Sequence, residues 1–151
     1  VGLDICVAVG DMLREKLDTV LPEVPQWVRE KVENGDTGRK SGRGFYTWKD
    51  NQPQKGKVGE IPPETIDRLV LPLLNACVAC LREGVINNPE TLDGAVIFGT
   101  GFAPFRGGPM HYIRGRGLDS ILSSMAQLRA DHGQRFEADV GWDDFVSFWH
   151  R

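Results

Sequence analysis

The 151-residue sequence lacks the features that would place it in several broad protein classes. Cysteine is scarce and odd in number. Three residues, with Cys77 and Cys80 only three positions apart, make a poor disulfide framework and fit a reducing compartment. No second Cys pair completes a zinc site, so Cys77 and Cys80 read as core thiols on a helix and no metal is expected. No apolar run reaches the ~20 residues of a membrane helix. The longest, Leu69 to Leu81, is interrupted by Pro72 and Asn75. Positive charge is not in excess either: 18 Lys plus Arg face 21 Asp plus Glu, a net charge of -3 that offers no bulk electrostatic reason to bind nucleic acid or an anionic membrane. Asp4 and Asp11 stand where a signal peptide would be basic and then apolar, so the expected location is cytoplasmic. Val1 is not an initiator methionine, and the sequence reads as processed or excised from something longer.

What is abundant is glycine. Eighteen of 151 residues are Gly, about 12% against a usual ~7%. Ten of them fall in two windows, Gly35 to Gly44 and Gly99 to Gly117, so the excess marks particular loops where the backbone needs φ > 0 or close approach. With 40% hydrophobic and 26% charged residues the chain is not disordered. At this length ~70% of the unfolded surface can be buried, which predicts one compact core with no need of a metal or disulfide.

The periodicity is helical almost throughout. Ile5, Val9, Met12, Leu13 and Leu17 trace a helix from about Leu3 to Leu21, with Asp4 as its cap and Pro22 and Pro25 at its end. Pro25 opens a short second helix carrying Val28 and Val32, which stops at Asn34-Gly35. Phe45 to Trp48 suggests an extended segment, and Lys49 to Glu60 an exposed loop. Pro62-Pro63-Glu64 opens the strongest helix, running to Glu83 with Pro72 inside it. Asn88-Pro89-Glu90 starts a helix ending at Gly99. Pro109 to Arg116 forms a brief one, Asp119 caps a longer one, and Trp142 to Trp149 closes with an amphipathic piece. Gly2-Leu3-Asp4 recurs as Gly117-Leu118-Asp119, and at the same offset Leu13-Arg14 recurs as Leu128-Arg129, a pattern that fits either two unrelated capped helices or a duplication.

Local chemistry is sparse. In Gly38-Arg39-Lys40-Ser41-Gly42-Arg43-Gly44 the glycines would let amides approach an anion while Arg and Lys supply charge, but the Lys-Ser pair is not in P-loop register. The dinucleotide fingerprint G-x-G-x-x-G is absent as well. From Gly38 to Lys57 six basic residues face one acid, Asp50, so a local anion site competes with a solvated basic loop. Of the histidines only His111 lies near a plausible cleft; His132 falls at a helix end and His150 at the terminus. Glu64 and Asp67 suit the positive end of a helix dipole. The four Trp residues read as core anchors.

Two segments together go further. Gly38 to Tyr46 resembles the G-(K/R)-K-(T/S)-G-x-G-F-Y signature of 3-hydroxyacyl-CoA dehydrogenases. Gly84 through Asp93 to Gly99-Thr100-Gly101-Phe102-Ala103-Pro104-Phe105-Arg106-Gly107-Gly108-Pro109 resembles the pattern of their last helical repeat, as found in bifunctional fatty-acid-oxidation enzymes that join an enoyl-CoA hydratase to this dehydrogenase; Ala103 replaces a usual proline. The resemblance implies an all-α fold like the C-terminal helical domain of that family. Residues 1–60 would be the tail of a truncated first repeat with its glycine-rich basic loop, and 61–151 the complete second repeat and C-terminal helices. It implies a parent enzyme that oxidises 3-hydroxyacyl-CoA with NAD, whose Rossmann domain and catalytic His-Glu pair lie upstream of Val1. No residue here carries the catalytic role. Asp67-Arg68-Leu69 stands where a first-repeat active-site asparagine precedes Arg-Leu, and the role is not transferred. Arg39, Lys40, Ser41 and Arg43 are the expected substrate-binding residues, acyl-CoA the expected ligand, and the Rossmann domain, a hydratase domain and a homo-oligomer contact through an uncovered helix face the expected partners. The alternative is a non-catalytic helical interaction module derived from this fold.

Overall fold

The computed structural model describes residues 1–17, 21–57 and 59–150. Among them six α-helices dominate, with one short β-hairpin, so the fold is all-α as the periodicity predicts. The chain forms two compact units, Val1–Glu60 and Ile61–Arg151, divided at the boundary the sequence reading places between residues 60 and 61. The stretch after Lys49 is mostly polar and carries Pro53, Gly56 and Gly59.

The first unit has little apolar interior. Helix α1 (Leu3–Lys16) packs on α2 (Gln26–Glu33), and of their residues only Leu3 and Val28 are buried. Polar clasps hold the pair. Arg29 forms a two-pronged bond to Asp11 at 2.5 and 2.8 Å, and Arg14 reaches Glu23 at 3.0 Å. Ile5, Val9 and Met12 remain 42–49% exposed, leaving an apolar stripe along α1. Two expectations fail here. The helix ends at Lys16, with Leu17 already extended; Leu21 precedes Pro22, whose ring disfavours helical geometry, and residues 18–20 lie outside the described ones. Asp4 is not the cap: Gly2 holds that position without a side-chain bond, and Asp4 sits in the first turn. After the glycine-rich loop, β1 (Thr47–Lys49) pairs antiparallel with β2 (Gln52–Gln54), Trp48 opposite Pro53. The second strand was expected to be loop. The turn is Asp50-Asn51, both at positive φ (49° and 61°), the arrangement that matches strand twist in a two-residue hairpin.

The second unit has a continuous core. Leu71, Leu74 and Val78 of α3 (Thr65–Arg82) are fully buried, and they pack with Met110 and Ile113 of α5 (Pro109–Arg116) and Ile121 and Met125 of α6 (Leu118–His132). Helix α3 runs through Pro72 without a break in its assignment. Between α3 and α5, α4 (Pro89–Thr100) starts on Asn88, whose side-chain oxygen accepts the Thr91 N–H at 2.6 Å. Asn75, which interrupts the apolar run in sequence, pins the chain end to α3. Its carbonyl accepts the Asp139 N–H (2.8 Å) and the Trp142 indole N–H (2.7 Å), and its amide donates to the Glu137 carbonyl (2.9 Å). Arg82 adds two bonds to Asp139, at 2.7 and 2.9 Å. The last amphipathic piece is accordingly not an α-helix but two 3-10 stretches, Val140–Trp142 and Phe145–His150.

Two carboxylates set the position of α5. Asp93 of α4 is buried, yet it accepts the backbone N–H of Met110 at 2.6 Å and of His111 at 3.1 Å, satisfying amides that open α5. Gly108 (φ +101°) makes this possible, because a Cβ there would overlap the Asp93 carboxyl. At the other end Arg116 grips Asp67 with two bonds (2.5 and 2.7 Å) and the Ser124 hydroxyl at 2.8 Å. The dipole role expected for Asp67 is thus accompanied by a tertiary ion pair, which holds its carboxyl below the usual range.

Gly108→Ala should therefore destabilise the protein by about 1–3 kcal/mol through strain and overlap, read as a lowered midpoint in urea; an unchanged midpoint would contradict the clasp. Asp67→Asn should cost about 1–3 kcal/mol at neutral pH, as for a hydrogen bond between charged partners. Because the folded pKa of Asp67 is depressed, its contribution is complete above the usual value of about 3.9 and disappears as pH falls through the lowered one. Thermal melts of variant and parent should converge on acidification.

Candidate functional site

The first signature segment builds a self-contained loop. Gly38 (φ +118°) and Gly42 (φ +80°) adopt left-handed backbone values. The Gly38 N–H donates to the Arg43 carbonyl at 2.5 Å and the Gly44 N–H to the Tyr46 carbonyl at 2.9 Å. A Cβ on Gly44 would come within 2.7 Å of the Gly38 Cα, so two strands of backbone pass where no side chain fits. The Ser41 hydroxyl accepts the Thr37 N–H at 3.0 Å and faces the Gly38 and Arg43 carbonyls at 3.2 and 2.9 Å. The Trp48 N–H, bonded to the Gly42 carbonyl at 2.8 Å, fastens β1 onto this loop.

The four residues expected to bind substrate divide into two groups. Lys40 is paired with Asp4 at 2.5 Å, and this contact holds the Asp4 carboxyl below its ordinary value. Arg43 is paired with Asp36 at 3.1 Å, and Ser41 is engaged within the loop. Arg39 is exposed and makes no ion pair among the described residues. It lines a 420 Å³ pocket together with Thr37, Gly38, Phe45, Tyr46 and Trp48. Phe45 also leans on Trp27, their ring centroids 5.6 Å apart. A guanidinium beside aromatic walls suits a ligand with an anionic group and an apolar or planar body. The sequence pattern marks Phe45 to Trp48 as an extended segment and Phe45-Tyr46 as the end of the signature, but their role as an aromatic wall beside Arg39 emerges only in the folded loop.

The remaining candidates lie elsewhere. His111 is exposed at a second cavity in the Ile61–Arg151 unit, beside Phe105 and Arg106. Asp93 binds its backbone rather than its ring. The His132 ring lies 6.0 Å from Phe136, and the His150 side chain is outside the described ones. Burial pushes the Cys77 thiol up to about 12, which keeps it protonated and unreactive. No group of three His, Cys, Asp or Glu side chains among the described residues is arranged to hold a metal, and no described helix is long and apolar enough to cross a membrane. The described strands form only the antiparallel hairpin. A dinucleotide seat needs a glycine-rich turn between a parallel strand and a helix, so these residues do not fit NAD.

Residues 1–48, which include α1, α2 and this loop, match the family described as "3-hydroxyacyl-CoA dehydrogenase, C-terminal domain". Over 90% of its length the chain is similar to proteins named fatty acid oxidation complex subunit alpha. It is 32% identical to that of Idiomarina loihiensis, 35% to that of Vibrio vulnificus and 37% to that of Vibrio parahaemolyticus. In each case the match covers 21% of the relative, so the chain spans about a fifth of the length of these curated relatives. The signature loop, the helical architecture and these likenesses agree: over residues 1–48 the chain is similar to the 3-hydroxyacyl-CoA dehydrogenase C-terminal domain, and over most of its length to part of the fatty acid oxidation complex alpha subunits.

Proposed function

We propose that these residues are the C-terminal helical part of an NAD-dependent enzyme that oxidises 3-hydroxyacyl-CoA to 3-oxoacyl-CoA in cytoplasmic fatty-acid β-oxidation, and that they line its acyl-CoA cleft. The observation that carries this is Arg39, the signature-loop cation left without an ion-pair partner among the described residues, at the edge of an aromatic pocket. Lys40, Ser41 and Arg43 serve the same site indirectly, since their bonds to Asp4, Thr37 and Asp36 hold the loop that presents Arg39. The protein's task here is binding and orientation, with exclusion of water by Phe45, Tyr46 and Trp48. Hydride transfer and proton abstraction belong to a Rossmann domain and its catalytic pair elsewhere in the parent, alongside a hydratase domain. The exposed stripe of α1 supports contact with those domains or with a second subunit.

The 151-residue chain should bind acetoacetyl-CoA, observed as a change in Trp fluorescence. Arg39→Ala should raise the dissociation constant about tenfold, the equivalent of one charge-assisted contact, without altering the melting temperature. Undetectable binding by the parent chain, or unchanged binding by the variant, would sink the cleft assignment. With 3-hydroxybutyryl-CoA and NAD, the chain alone should form no NADH; steady NADH production would overturn the assignment of chemistry to another domain.

A further inference from the structure

The second cavity has no role in the function proposed above. It measures 450 Å³, within the range of small-ligand sites, and is lined by Phe105, Arg106, His111, Tyr112, Gly115 and Arg116. No acidic residue is among these. The two arginines differ in what they offer. Arg116 is committed to Asp67 and Ser124, so it forms a neutralised wall. Arg106 is exposed and makes no ion pair among the described residues, and its guanidinium lies 5.5 Å from the Phe105 ring centroid. Phe105 is 84% exposed.

Two further facts define the site. The opening amides of α5 at Met110 and His111 are already taken by Asp93, so an anion here must be held by side chains. Gly115 lies within α5, where glycine costs helix stability relative to alanine. Its backbone is not left-handed, and a Cβ there would meet no atom within 4 Å. Neither φ nor packing accounts for it, while its position on the cavity wall does, since a side chain there would reduce the space.

We propose that this cavity binds an organic phosphate of mononucleotide size, with Arg106 and His111 receiving the phosphate and Phe105 and Tyr112 flanking the planar body. Guanidinium and imidazole N–H donors suit phosphate oxygens. Exposed aromatic rings suit a base or similar flat group, which stacks without sequence-specific contacts.

The probes are AMP and inorganic phosphate, titrated into the 151-residue chain and followed by the ring NMR signals of His111 and Tyr112. Saturable shifts are expected with both, with AMP binding at least about tenfold more tightly. Arg106→Gln, at an exposed side chain, should weaken both about fivefold or more. Gly115→Leu should abolish AMP binding while leaving the melting temperature unchanged or higher. Arg39→Ala should leave AMP binding intact, which separates this site from the pocket of the signature loop. The proposal is overturned by an absence of shifts at His111 and Tyr112, by AMP binding no tighter than phosphate, or by unchanged binding in Arg106→Gln. Retained AMP binding by a folded Gly115→Leu chain, or its loss in Arg39→Ala, overturns it equally. Should Gly115→Leu not fold, Arg106→Gln remains decisive.

Discussion

The carboxylate of Asp93 under the first turn of α5 is the constraint on which the Ile61–Arg151 unit depends. Burial raises its pKa, with the Met110 and His111 amides pulling the other way, so the charge is kept at a cost that two bonds only partly offset. In return the entry of α5 is fixed against α4. Met110 and Ile113 then turn into the core, while His111 and Tyr112 face the neighbouring cavity. Gly108 permits the approach, and the pair explains why an aspartate and a distant double glycine belong to a single signature.

The Val1–Glu60 unit solves the same problem with a different balance of forces. The two buried apolar side chains among its described residues, Leu3 and Val28, cannot supply a core of ordinary size. Hydrogen bonds and ion pairs take over: Leu3 N–H to the Thr37 carbonyl at 2.9 Å, Lys40 to Asp4, and Arg29 to Asp11. Lys40 and Arg43 are thereby engaged in ion pairs, whereas Arg39 makes none among the described residues.

The helices were legible because period and punctuation agreed. Pro109 to Arg116 begins and ends where proline and glycine place it, and in α3 the helical period places Leu74, Cys77, Val78 and Leu81 in the core, while Ile66 and Leu69 at its start stay exposed. What failed depended on contacts distant in sequence. Nothing near Trp142 announces that Asn75 would fix it and favour 3-10 turns over an α-helix. Nothing near Asp67 names Arg116, 49 residues away, as its partner. The hairpin was within reach of sequence reasoning, since Asp50-Asn51 tolerates positive φ, but its flanks lack the alternation that identifies strands. At the site, the glycines pointed to the loop, yet only three-dimensional pairing could separate Arg39 from Lys40 and Arg43.

The ion pairs of the first unit carry a consequence for how the chain responds to its medium. Lys40 and Arg43 are more than half exposed in their pairs, and exposed charges are screened over about 8 Å at physiological ionic strength. The second unit rests on apolar burial, which strongly hydrated salts strengthen. Rising concentrations of a salt such as sulfate thus loosen one unit through screening while tightening the other through exclusion from its surface. A strongly hydrated salt acts on the two units through different forces, screening in the first and surface exclusion in the second.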